Sequence, residues 1–197
     1  ETIDAPVHPK NPQAGRRSLQ LTREILIERE DFLEDPPQKF FRLAPGREVR
    51  LRYAYVIRCD EVIFDDTGEV LELRCTYDPE TANGVQPEGR KVKGIIHWVS
   101  ASKSFPAPVR LYERLFKNPS PGSMHEDGDV LKDLNPDSRE ILEDCRVEPE
   151  LCDVPEGKTF QFERLGYFCS DPVDSHPGQP VFNRIVTLRD TWAKMSQ

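Results

Sequence analysis

Apolar and polar positions alternate with a period of two from Val49 to Val56, and shorter alternating runs recur along most of the chain. The pattern predicts strands at 24–28, 48–59, 61–65, 70–77, 93–100, 108–115, 159–169 and 181–188. On the second of these, Arg50 and Arg52 share one face while Val49, Leu51 and Tyr53 point to the other, which puts the two guanidinium groups about 7 Å apart. Turn signals punctuate the runs at Asp65-Asp66-Thr67-Gly68, Asp78-Pro79, Asn83-Gly84 and Pro121-Gly122. The stretch 60–76 reads as a hairpin closed at Asp66-Thr67-Gly68. Eighteen prolines, spread from Pro6 to Pro180, argue against long helices. Short helical turns are predicted only at 30–35, just before Pro36, and at 135–143, where Pro136 takes a permitted first-turn position. The fold class is all-β: antiparallel strands closing into β-barrels, with few short helices.

At 197 residues the chain makes one large β domain or two small ones. A hydrophobic share of 37% and a mean hydropathy of −0.64 leave no apolar residues to spare beyond a core. No apolar run approaches the ~20 residues of a membrane span, and no leader pattern opens the chain. The start Glu1-Thr2-Ile3-Asp4-Ala5-Pro6 reads as the middle of a longer chain, so a fragment or processed product is expected, with any catalytic chemistry encoded upstream. Five cysteines make an odd set without a CxxC pair, and neither they nor the four histidines have zinc-ligand spacing. Reduced thiols of a cytoplasmic protein are expected, with Cys59 and Cys75 in or near the core. Between 126 and 156, twelve acidic residues mark a solvated loop region, or a fence that turns phosphate away from the wrong side.

Charge changes the picture most. The chain totals −8, yet 39–58 carries six Lys/Arg against one Glu, a local balance of +5. An acidic protein gains little from non-specific attraction to polyanions, so a concentrated basic and aromatic strip points to local reading of nucleic acid. A second cluster, Arg90, Lys91 and Lys93, precedes Ile95-Ile96-His97-Trp98-Val99 and suits a phosphate rail. The third runs from Thr159 to Cys169. There Gln161 and Glu163 share the face opposite Phe160 and Phe162, and a carboxylate beside Arg164 orients its guanidinium toward the Watson–Crick edge of an unstacked base. Arg189 beside Asp190 offers one more oriented guanidinium. Catalytic signatures are missing: no Gly-rich phosphate loop, nucleophile elbow, HExxH or nucleotide fingerprint occurs.

Five of these stretches, 41–55, 89–100, 109–116, 160–168 and 182–192, closely resemble the C-terminal anticodon-binding region of bacterial glutaminyl-tRNA synthetases, in the same order and over nearly the whole chain. The resemblance implies a proximal anticodon-binding barrel from 1–36 plus 117–197 and a distal one from 37–116, of the kind also found in a ribosomal protein. It implies a glutamine-tRNA ligase, a class I aminoacyl-tRNA synthetase, as the full-length protein. Its catalytic domain, using ATP and glutamine, lies upstream, so the fragment itself is non-catalytic and holds no cofactor or metal. The implied partners are the anticodon loop and stem of tRNA(Gln) and the chain's own upstream domain, in a cytoplasmic monomer away from membranes.

Position by position, the resemblance assigns Arg42 to the third anticodon base with Lys39 nearby, and Arg50 and Arg52 to the first nucleotide and its phosphate. Gln161, Glu163 and Arg164 match the pocket for the central uridine, with Arg189 and Thr191 near it. Lys10 and Asn11 match a segment touching the anticodon stem, and Arg90, Lys91 and Lys93 join the backbone contacts. Phe41 departs from the pattern, standing where relatives often carry lysine. Two other functions fit the same residues: the anticodon-binding region of a barrel-bearing glutamyl-tRNA synthetase, and a barrel protein that binds structured RNA by shape.

Overall fold

The computed structural model describes residues 1–188. Every helical segment among them is a short 3-10 turn, so the all-β expectation holds. The chain divides into two compact, contiguous units, Glu1–Lys103 and Ser104–Gln197, whereas the resemblance groups 1–36 with 117–197 around an inserted 37–116.

The first unit contains β1 (Thr2–Pro6), β2 (Arg16–Gln20), β3 (Ile25–Leu26), β4 (Glu48–Leu51), β5 (Val56–Phe64), β6 (Val70–Asp78), β7 (Ile95–Ile96) and β8 (Val99–Ser100). Strands β1 and β2 form a hairpin, β3 pairs with β8, and the main sheet runs β6-β5-β4-β7 with β7 parallel to β4. Val49, Leu51, Ile57 and Ile96 from this sheet meet Ile3, Ala5 and Leu19 from the hairpin, and Phe32, Leu43 and Trp98 complete the core.

The long strand expected over 48–59 is two strands folded back on each other. Ala54 N–H donates to the Leu51 carbonyl at 2.9 Å, and Tyr53 takes a left-handed φ of 64°. Arg50 and Arg52 therefore do not share a strand face. The letters Arg-Tyr-Ala-Tyr hide the turn because they lack the Gly, Asn or Asp that usually supplies a positive φ. The hairpin at 60–76 is present, with Asp65 Oδ1 accepting from the backbone N–H of Thr67 and Glu69 at 2.8 and 3.0 Å. Cys59 is buried but Cys75, directly across the ladder, is exposed. The helical turn expected at 30–35 reduces to Arg29–Asp31.

The second unit contains β9 (Phe105–Pro106), β10 (Val109–Tyr112), β11 (Arg139–Leu142), β12 (Arg146–Val147), β13 (Thr159–Phe162), β14 (Gly166–Ser170) and β15 (Phe182–Thr187). Its main sheet runs β11-β10-β15-β14-β13, with β10 and β15 parallel and β9 paired to β12. Phe162 stacks on Phe168 at 4.4 Å between centroids, and Phe160 and Phe162 meet Phe182 edge-on at 5.9 and 5.3 Å. Asp171 ties this sheet together. Its carboxylate accepts from Asn183 Nδ2 at 2.6 Å, from Arg110 at 3.1 Å and from the N–H groups of Val173 and Asp174 at 2.8 Å each. The Asn183 bond, followed by the backbone donors, holds that carboxyl below the usual range.

Two expectations fail here for one reason, tertiary pairing overriding a local pattern. At 135–143 no helix forms: Asn135 closes a turn, its Oδ1 accepting from Asp137 N–H at 3.1 Å, and 139–142 become β11 beside β10. The run 159–169 is a hairpin rather than one strand, because Arg164 takes φ 63° and Leu165 N–H donates to the Phe162 carbonyl at 3.1 Å.

Candidate nucleic-acid interface

A shallow concavity of about 380 Å³ opens on the first unit, lined by residues from two separate segments, 38–48 and 91–94. Arg42, Arg47, Lys91 and Lys93 line it with Phe40 and Phe41, and Glu48 is its one acidic wall residue. In a chain of charge −8, with Asp31 paired to Arg42 and Glu48 in the wall, the hollow's positive field comes mainly from Arg47, Lys91 and Lys93.

Local backbone chemistry builds this wall. Ala44-Pro45-Gly46-Arg47 is a turn with proline second, Gly46 at φ 69° and a 2.9 Å bond from Arg47 N–H to the Ala44 carbonyl, as a type II turn requires. It delivers Arg47 to the start of β4. On the opposite side, Gly94 approaches so closely that an added Cβ would sit 2.1 Å from the Phe41 carbonyl oxygen and 3.0 Å from Val49 Cγ2. Only glycine lets the lysine-bearing segment 91–93 lie against Phe41. Leu43 N–H donates to the Asp31 carbonyl at 2.9 Å, which fixes the strip from the other side.

Arg42 is held in place. Its guanidinium lies 3.4 Å from the buried Asp31 carboxylate, donates to the Glu30 carbonyl at 2.8 Å and stands 6.0 Å over the Phe40 ring. A cation fixed by a buried carboxylate loses little rotamer freedom when it meets a ligand. The Lys93 ammonium lies 5.3 Å over the Phe41 ring. Lys91 is exposed on the same rim, and Lys39 is exposed on the adjoining turn.

The remaining expected contacts are placed differently. Arg50 is 5% exposed and donates to the carbonyls of Ala54 at 3.2 Å, Thr81 at 2.9 Å and Val85. Its burial lowers the guanidinium pKa. In this conformation it pins the β4–β5 turn to the segment 81–85 and presents nothing to a ligand. Arg52 sits in the turn itself, 5.2 Å over the Tyr53 ring, with Arg17 5.6 Å from the same centroid. Arg90 is bidentate to Glu48 at 2.8 and 2.9 Å and reaches Asp78 at 2.9 Å, so its charge is already compensated. Lys10 and Asn11 lie between β1 and β2, where Asn11 Oδ1 caps the short 3-10 turn Pro12–Ala14 by accepting from Gln13 N–H at 3.1 Å.

On the second unit, Gln161 is exposed on β13 and faces Tyr167, which is also exposed, across the ladder. Glu163 and Arg164 occupy the turn beyond it, so Glu163 does not share a strand face with Gln161. The three expected residues nevertheless gather at one end of one hairpin. Arg189 and Thr191 lie outside the described residues. The pattern of letters assigned no role to Arg47, which lines the hollow, and marked Phe41 only as a departure from the family pattern. The Pro45-Gly46 pair could have placed the first, but the approach of Gly94 to Phe41 is a long-range contact with no local signal.

Among the described residues, no three His, Cys, Asp or Glu side chains converge to hold a metal ion, and no helix is long and apolar enough to cross a membrane. Two family models match the chain, both described as the anticodon-binding domain of class I tRNA synthetases (E and Q), one over residues 1–78 and one over 95–171. Glutamine--tRNA ligase of Pseudomonas putida is 54% identical over 192 residues, 98% of this chain and 34% of the relative. That of Nitrobacter winogradskyi is 54% identical over 196 residues, all of this chain and 34% of the relative. The protein of the same name from Bradyrhizobium diazoefficiens is 53% identical over 194 residues, again 98% of this chain and 34% of the relative. The chain thus spans about a third of the length of these curated relatives.

Proposed function

The chain belongs to the anticodon-binding domains of the class I (E and Q) tRNA synthetases, and on that premise we propose that it reads the anticodon of tRNA(Gln) as one part of a glutamine-tRNA ligase. The observation that carries the proposal is the hollow formed by Arg42, Arg47, Lys91 and Lys93 around Phe40 and Phe41. Cations there supply salt-dependent affinity for the RNA backbone, and the carboxylate-held Arg42 supplies directional donors for one base edge. Gln161, Glu163 and Arg164 form a second reading point on the other unit, taking the central uridine. Arg50 acts as a positioning residue beneath the first unit's surface. ATP, glutamine and the ligation step belong to the full-length enzyme, of which this chain spans about a third.

The test is fluorescence anisotropy with labelled anticodon stem-loops that differ at one anticodon base at a time. Arg42→Ala, Gln161→Ala and Arg164→Ala are each expected to weaken cognate binding and flatten discrimination at one position. A guanidinium or amide contact to a base is worth roughly 1–3 kcal/mol in the double-helical code, and a similar scale is assumed here. Equal losses on every stem-loop would overturn base reading in favour of shape recognition.

A further inference from the structure

We propose that Phe41 is a stacking platform for a single unpaired nucleobase, and so an affinity-determining binding residue of this interface; the inference rests on the anticodon-binding reading above. Phe41 is 53% exposed and lines the cationic hollow, not the core. A large aromatic ring open to water is ordinary when isolated. This one is bordered by Arg42, Lys91 and Lys93, and the Lys93 ammonium lies 5.3 Å from its centroid. Aromatic rings interleaved with cations are how proteins hold single-stranded nucleic acid: the ring takes the base face and the cations take the phosphates.

The backbone beneath the ring is rigid. Gly94 abuts the Phe41 carbonyl so tightly that no side chain fits between them, and the next residues, Arg42 and Leu43, are anchored to Asp31. A platform fixed in this way costs little ordering free energy when a base lands on it. Lys93 stands over one face of the ring, so a base takes the opposite face, with Lys93 and Arg42 lining the same hollow beside it. Stacking is sequence-tolerant and the Arg42 contact is directional, so the pair divides the work: Phe41 supplies residence and Arg42 supplies identity.

The experiment crosses protein variants with abasic RNA. The wild-type chain, Phe41→Leu and Phe41→Trp are titrated against a cognate anticodon stem-loop and against three versions, each lacking one anticodon base. Leucine keeps apolar bulk without a π face, and its loss on the intact loop is expected to lie within the roughly 5- to 160-fold range that a base–aromatic stack loses on truncation to alanine. On the loop abasic at the third anticodon position that loss is expected to vanish, while Phe41→Trp binds the intact loop at least as well as wild type. A 2-aminopurine at that position is expected to be quenched by the wild-type chain and by Phe41→Trp, but not by Phe41→Leu. The same fold-loss on all four loops, or equal losses for leucine and tryptophan, would overturn the stack alone. A wild-type chain indifferent to anticodon sequence would overturn the underlying reading and this one with it.

Discussion

Replacing Arg50 by methionine separates a structural arginine from an RNA-binding one. The guanidinium donates to three carbonyls, and two of those bonds, to Ala54 and Thr81, are fully buried. The third acceptor belongs to Val85, where the bond is only part-buried. A buried acceptor left without a partner costs about 1–3 kcal/mol, so two cost roughly 2–6 kcal/mol. Removing a desolvated charge gives part of this back. The net expectation is a loss of about 2–4 kcal/mol, and Arg50→Lys is expected to fall between methionine and wild type. For a unit of 103 residues this corresponds to a melting-point drop of roughly 10–20 °C. Thermal unfolding followed by tryptophan fluorescence in a Trp192→Phe background reads the first unit, because the remaining indole, Trp98, is 3% exposed and donates to the Arg52 carbonyl at 3.0 Å. Hydrogen exchange is expected to confine the loosening to residues 1–103. Stem-loop affinity measured well below the melting point is expected to stay within about twofold of wild type, a difference of ~0.4 kcal/mol. An unchanged melting point with a tenfold weaker affinity would mean that the guanidinium leaves its carbonyls for the RNA.

Three further outcomes follow from single contacts. Gly94→Ala places a methyl 2.1 Å from a backbone oxygen; it is expected to cost about 1–3 kcal/mol by chemical denaturation and to weaken RNA binding, because the 91–94 segment must move off Phe41. Asp171 has a depressed folded-state pKa, so its stabilisation is present above the unfolded value near ~3.9 and is lost as pH falls through the folded value. Wild type is therefore expected to out-melt Asp171→Asn at pH 6–7, roughly two units and more above that value, with the gap closing in acid; a gap constant with pH would exclude this linkage. Lys91→Ala is expected to lower affinity alike for all stem-loops and to reduce the salt slope by roughly 0.7–0.9. Arg90→Gln, which loses a cation already held by Glu48 and Asp78, is expected to leave that slope unchanged.

Strand existence was legible and strand ends were not, for a definite reason. Patterning marked β4, which buries Val49, Arg50 and Leu51, and the run that became β6, but it cut β5 between two expected strands, because β5 buries only Val56, Ile57 and Cys59 near its start. Strands β1 and β2 escaped notice because between them they bury only Ile3, Ala5 and Leu19, too few apolar letters to register. Both missed hairpin turns hinge on a non-glycine residue in the left-handed region, Tyr53 and Arg164. Turn-forming letters would have announced such a bend; here the cost of the backbone is met by packing that only the folded chain supplies.

The same logic explains why the basic strip was only half readable as a site. Six cations in twenty residues announce a purpose, but composition does not say which of them remain available. Burial removes Arg50, Tyr53 stacking engages Arg52, and Asp31 fixes Arg42 without hiding it, leaving its side chain 25% exposed. The compensating gain comes from 91–94, forty residues on, whose lysines arrive only because β7 pairs with β4 in parallel and Gly94 has no side chain. Charge density along the sequence therefore pointed to the strip that lines the hollow, while the register of one short parallel strand decides which lysines face it. If that register is what assembles the interface, disturbing it at Gly94 should cost more affinity than removing Lys91, although Gly94 carries no charge at all.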